Sequence, residues 1–398
     1  MADLTPNPDD GSKEPSPLLM RAYRATEILC KIVRTGVLLV WLFMMGFSIR
    51  IIGSQGLGCS ICLFTVCAMC IWAFYHAEIR YIFRRLIVWR RAPKLKGATL
   101  PPHMRAILHQ KVKICRRLSE KLRPKLEERI SLFLEMVKFK EKGVYFDITD
   151  YFVYRTKLRF VGPGYWSEKY KQYKHLGFVD ALGKQIYFSL GMISPEDRIA
   201  GGISDEVRMC VAAEACLLIL NRSYSDYSWL RNVEIWKDLG SSAGLASRGE
   251  VLLKWDAVQR GLIDGADGDS VTLHEFAHVL DRADDDKAQS IPVSKNSPEY
   301  KRWEEMLDRG YEQVRQAYEF GEGHVIDQYA LTKSEHVIGA TNSGKTVSYL
   351  VRSEFFPCAT EAFFERSTEL RDECPKIYGV MKDFYQLDPA EWPPPKLP

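Results

Sequence analysis

The pattern of apolar and polar positions divides the chain into zones. Residues 35–52, "TGVLLVWLFMMGFSIRII", and 56–77, "GLGCSICLFTVCAMCIWAFYHA", are apolar throughout and are separated only by Gly53, Ser54 and Gln55. Each approaches the ~20 residues that a helix needs to cross ~30 Å of hydrocarbon. Arg50 is the only full charge in either run, and it lies near the end of the first, where a long side chain reaches the headgroups. A soluble helix of this length would carry a polar face. The pattern therefore predicts a two-helix transmembrane hairpin.

Beyond the hairpin the apolar positions become periodic. From His103 to Lys140 the spacing predicts an amphipathic helix, with Leu118, Leu122 and Leu126 one turn apart and charges between them. "DEVRMCVAAEACLLILN", 205–221, predicts a buried helix. Between them, residues 145–203 are aromatic and β-leaning and predict an inserted subdomain of small strands. "NVEIW" and "EVLLKW" read as strands, followed by the turn "GLIDGADGDS". The expected fold class is α+β. Residues 1–30 are expected to be disordered, 31–91 to form the hairpin with its basic flank, 92–102 to be a linker, and 103–398 to be the main domain.

A 398-residue chain with 46% hydrophobic and 27% charged residues is neither disordered nor collagen-like. The net charge of +4 is mild for this length and predicts no nucleic-acid partner. Its distribution is more informative. Lys13, Arg21, Arg24, Lys31 and Arg34 precede the hairpin, and Arg80, Arg84, Arg85, Arg90, Arg91, Lys94 and Lys96 follow it. Cytoplasmic flanks retain such residues, so a two-pass integral membrane protein is expected, with the lipid bilayer as a partner and the main domain on the cytoplasmic side. The start has no early cleavage pattern, so the anchor is expected to be retained. Cys59, Cys62, Cys67 and Cys70 lie inside the second apolar run with a spacer too short for a zinc ribbon, and the other cysteines are scattered.

The chemistry concentrates at "HEFAHVLD", His274 to Asp281. HExxH on a helix sets two imidazoles one turn apart on one face, within reach of a single ion. Zn²⁺ suits neutral imidazole and lowers the pKa of bound water toward ~7, and the adjacent glutamate can take the proton. His274 and His278 are the candidate ligands and Glu275 the candidate general base. The surrounding Val271, Leu273, Phe276, Ala277, Val279 and Leu280 predict a buried helix, where such polar groups need a strong reason.

"DGADGDSVTLHEFAHVLD", with "GEVLLKW" ahead of it and "IDQYALT", "SEFFPCATEAFFE" and "FYQLDP" behind, resembles the Mlc titration factor A family of zinc peptidases. The resemblance covers roughly residues 110–147 and 203–390 and leaves insertions at about 148–203 and 333–352. It implies a zincin-like catalytic fold similar to that of anthrax lethal factor, Zn²⁺ as cofactor, hydrolysis of a peptide or protein substrate with aminopeptidase-type activity, and binding to a transcriptional regulator. It also implies a third ligand in an "EFF" stretch after a tyrosine, which maps to Glu354, with Glu335 as the competitor. Tyr329 becomes a candidate oxyanion donor through its phenol. Glu361 and Asp281 become carboxylates that orient the ligands. Pro357 departs from the family pattern and places Glu354 at a helix start.

"GATNSGKT", Gly339 to Thr346, matches the phosphate-binding pattern GxxxxGK[ST]. Such a loop needs a strand before it, a helix after it and room for a nucleotide domain, whereas only 52 residues follow Thr346. It is read as a flexible loop. Residues 250–255 are the expected sheet edge for extended substrate. Two readings remain: a membrane-anchored zinc peptidase, and a non-catalytic protein that sequesters a regulator.

Overall fold

A computed structural model describes residues 95–144, 197–240, 242–247, 249–282, 290–332, 334–340 and 346–393, with backbone alone at 334–340 and 346–351, and isolated positions between 151 and 193. The predicted hairpin and disordered start, and nearly all of 145–196, lie outside these residues. Among the described residues no helix is long and apolar enough to cross a membrane.

Two units are described separately. The larger starts with helix α1, Pro102–Lys111, a helical turn at Lys113–Arg117, helix α2, Leu122–Met136, and strand β1, Lys138–Val144. The single helix expected over 103–140 is thus broken twice. Pro124 sits in the first turn of α2, where its missing N–H costs nothing, and so marks a helix start. Leu118 and Leu126 are buried although they belong to different elements.

Helix α3, Asp205–Leu218, is capped by Ser204, whose side chain accepts from the Val207 N–H. It is the buried helix its Ala- and Leu-rich sequence predicts. Strand β2, Asn232–Asp238, strand β3, Gly244–Ser247, and strand β4, Glu250–Lys254, follow. The sheet order is β1-β2-β4-β3, with β1, β2 and β4 parallel and β3 antiparallel to β4. The stretch expected to be the sheet edge, 250–255, is therefore interior; β3 is the edge. Lys140 and Lys142 on β1 pair with Glu234 of β2, so charged residues mark the opposite edge.

Helix α4, Trp255–Ile263, leads through the Gly-Asp turn to helix α5, Val271–Asp281, which carries HExxH. Ser270 caps α5 by accepting from the Leu273 N–H. Helix α5 packs against α3, β3, β4 and helix α7, Phe355–Glu365. Its Leu273, Phe276 and Ala277 are fully buried. Helix α6, Tyr300–Glu319, buries Trp303, Met306, Leu307, Gly310, Tyr311 and Val314, one amphipathic face. Helices α8, Ser367–Glu373, and α9, Pro375–Tyr385, close the unit, with Phe356, Phe363, Phe364, Phe384 and Tyr385 in mutual ring contact.

In the smaller unit, strands β5, Ser334–Ala340, and β6, Thr346–Val351, form an antiparallel hairpin with an irregularity between Val337 and Gly339. Where a nucleotide-binding loop needs a helix, strand β6 begins at Thr346, the last residue of the motif.

Candidate metal centre

Helix α5 presents His274 and His278 one turn apart, their ring centroids separated by 5.1 Å. Glu354 meets them from the residue before α7. Its Oε2 lies 3.2 Å from His274 Nε2 and 3.1 Å from His278 Nε2. All three residues are buried. Pro357 occupies the third position of α7, where proline is tolerated, and Glu354 is the N-cap residue. Glu335 lies on β5, its backbone paired with Leu350.

The three atoms form a group that could hold a metal ion. Four donors at ~2.0–2.1 Å in a tetrahedron stand ~3.3 Å apart, close to the separations found here. Of the three, His274 lines a cleft together with Glu275.

The electrostatics match a ligand set held for a cation. Burial works against ionisation of Glu354, but the bonds to His274 and His278 outweigh it and hold the carboxyl well below the usual range. Burial pushes His278 down, toward the neutral form that ligates. At His274 burial is outweighed by Glu361, Cys358 and Glu354, which raise its pKa.

Glu361 stands on the same face of α7 as Glu354. Its Oε2 lies 3.0 Å from His274 Nδ1, and its Oε1 accepts from the Ser270 N–H at 3.0 Å. One carboxylate thus fixes both the ring and the start of the helix that carries it. Asp281 is buried at the end of the same helix. Its Oδ2 accepts from the Ser290 N–H at 2.8 Å, and Ser290 in turn contacts the segment carrying Glu354.

Glu275 is buried, and burial pushes it up to about 7. Its Oε2 has no hydrogen-bond partner among the described residues. Such an orphaned carboxylate is costly unless it serves chemistry. The edge strand passes so close that a Cβ at Gly244 would stand 2.5 Å from Glu275 Cγ. Tyr329 is 54% exposed, with its ring 5.8 Å from that of His274. Burial and Glu354 push its phenol up, so it retains its proton.

Three contributors were not read from the sequence. Cys358, four residues past Glu354 and three before Glu361, joins His274 and Glu361 in a second group of closely spaced donors. Glu214 on α3 accepts from the Ser270 hydroxyl at 3.2 Å; its signal was one acid within "VAAEACLLIL". Gly244 carries no sequence signal.

Residues 237–337 and 348–386 match the family model described as glucose-regulated metallo-peptidase M90, with a gap that falls within the β5–β6 hairpin. An uncharacterized protein from Synechocystis sp. is 26% identical over 321 residues, covering 76% of this chain and 89% of its own length. The C-terminal region of the chain, carrying α5 and α7, thus matches the glucose-regulated metallopeptidase family M90, the Mlc titration factor A family.

Proposed function

We propose that the chain is a membrane-tethered, zinc-dependent peptidase whose catalytic domain faces the cytoplasm. The observation that carries the peptidase reading is the convergence of His274, His278 and Glu354 beside buried Glu275, whose Oε2 has no hydrogen-bond partner among the described residues. The tether rests on the two apolar runs and their basic flanks.

His274 Nε2, His278 Nε2 and Glu354 Oε2 would hold the ion. Bound there, a divalent cation supplies Lewis acidity that polarises the scissile carbonyl and acidifies water. Glu275 Oε2 takes a proton from water as the water oxygen attacks the carbonyl carbon. The same carboxyl then gives the proton to the amine nitrogen as the C–N bond breaks. Tyr329, still protonated, donates toward the developing oxyanion.

Strand β3 aligns the substrate backbone. The Lys254 N–H donates to the Ala243 carbonyl. Alternation along an antiparallel pair therefore turns the backbone groups of Gly244 and Ala246 to the open edge. Arg282 occupies the Ala246 carbonyl. A peptide can use the remaining groups beside Glu275. A protein that only sequesters a regulator has no need of a buried, unpaired base, and Glu275 favours catalysis over that reading.

The test uses the full-length protein with zinc added. Glu275→Gln is expected to keep zinc and lose turnover of a fluorogenic peptide by at least ~100-fold; Glu354→Ala is expected to lose zinc. Full turnover in Glu275→Gln, or full zinc content in Glu354→Ala, overturns the assignment. Recovery of the full-length protein in the soluble fraction overturns the tether alone.

A further inference from the structure

We infer that the cleft beside His274 and Glu275 carries a subsite for a cationic group of the substrate, bounded by Asp267, Asp269 and Asp327. This deepens the peptidase reading and rests on it. The cleft has a volume of about 660 Å³. The acids Asp267, Asp269, Glu275, Asp327 and Glu361 line it, against one guanidinium, that of Arg366. That guanidinium is already engaged, donating to the Val325 carbonyl and to Glu369.

The carboxylates belong to separate elements, so their grouping is a product of the fold. Asp267 and Asp269 lie in the turn before α5, and Asp327 precedes the short helical turn Gln328–Leu331. Asp267 accepts from the Asp269 N–H at 3.1 Å and Asp327 from the Tyr329 N–H at 2.7 Å, which fixes both side chains. The Gly268 N–H donates to buried Glu365 at 3.0 Å and anchors that turn from below.

A second observation is independent of the rim: Glu275 Oε2, buried and unpartnered, lines the same cleft. Tyr318 and Tyr329 add aromatic walls and Val325 a buried apolar contact. Carboxylates and aromatic rings lining one cleft suit a long apolar stem that ends in an ammonium or guanidinium. Lysine and arginine side chains have that form, and a peptide's N-terminal ammonium shares the charge. Burial, with Asp264 and Asp269 nearby, pushes Asp267 up, a repulsion that a bound cation would relieve.

The experiment compares fluorogenic peptides that differ by Lys, Leu or Glu at each position flanking the scissile bond, each with a free and an acetylated N-terminus. Zinc-loaded full-length protein is expected to favour the Lys peptide over the Glu peptide by about tenfold in kcat/KM at one position. The triple variant D267N/D269N/D327N, which keeps side-chain shape, is expected to reduce that ratio at least about fivefold. Cation preference confined to free N-termini identifies the ammonium as the occupant and supports the subsite. Equal turnover of Lys and Glu peptides, or a preference that survives the triple variant, overturns it.

A binding arm separates this failure from failure of the peptidase reading. Glu275→Gln protein is titrated with the acetylated Lys and Glu peptides and followed by fluorescence anisotropy. Tighter binding of the Lys peptide without turnover in the wild type supports the subsite and removes the peptidase. Equal binding with no turnover overturns both.

Discussion

Asp281 and Ser290 are joined by a 2.8 Å hydrogen bond that links the end of the HExxH helix to the segment bearing Glu354. Ser290 has φ 57°, a left-handed conformation costly for a residue with a Cβ. Its hydroxyl donates to the Arg352 carbonyl at 2.5 Å and accepts from the Phe356 N–H at 3.0 Å, so it brackets Glu354 on both sides. The aim of the third donor therefore depends on a residue that touches none of the imidazoles.

Ser290→Ala is expected to weaken zinc binding by about 10- to 100-fold while leaving all three donors in place. Competition with a chromophoric chelator measures it. Unchanged affinity would mean that α7 alone holds Glu354 in position.

Gly244→Ala is expected to separate metal binding from catalysis. The added Cβ would stand 2.5 Å from Glu275 Cγ and 2.7 Å from its Oε1, so the base must swing away or β3 must shift. Zinc content should stay at the wild-type value while kcat falls by ~100-fold or more, the range for a lost general base. Wild-type kcat in this variant would show that the proton acceptor lies elsewhere.

Phe276 lies on the side of α5 away from the cleft, between Phe133 at 5.8 Å and Tyr227 at 5.5 Å. It is fully buried, and truncation leaves a cavity between α2, α5 and the helical turn Tyr224–Tyr227. Phe276→Ala is expected to cost about 3–5 kcal/mol of stability. Urea unfolding tests this, and a loss below ~1 kcal/mol would mean that the neighbours collapse into the space.

The parts of this arrangement that the sequence disclosed are those with local signatures. HExxH, the apolar helix α3 and the strands β2 and β4 each declare themselves within a few residues. Strand order does not, because it depends on β3, a four-residue edge with no hydrophobic alternation, and so β4 was expected at the edge where β3 lies. Leu118, Leu122 and Leu126 kept helical spacing across a real break, while Pro124 marked the true start. Glu354 was reached through resemblance across about eighty residues, a pairing no periodicity encodes. Glu214 and Cys358 could only emerge once α3, α5 and α7 were seen side by side.

Glu214 makes stability depend on pH in a definite direction. It is buried, and burial, with the charge of Glu361 adding, pushes its carboxyl up to about 7 from 4.5. Between those values the folded protein holds a proton that the unfolded chain has lost, so stability falls as pH rises through this window. The contribution is present in full below pH ~4.5 and is lost above ~7, amounting to at most about 3 kcal/mol. Burial raises Glu365 as well, which gives the same sign. Glu214→Gln preserves a neutral side chain able to bond the Ser270 hydroxyl but cannot ionise. It should match the wild type near pH 4.5, exceed it in stability at pH 8, and flatten the slope between; the parts of Glu365 and of Glu275, which burial also raises, should remain. Unfolding by urea at both pH values decides the matter, since parallel profiles for variant and wild type would place the titrating proton on another group.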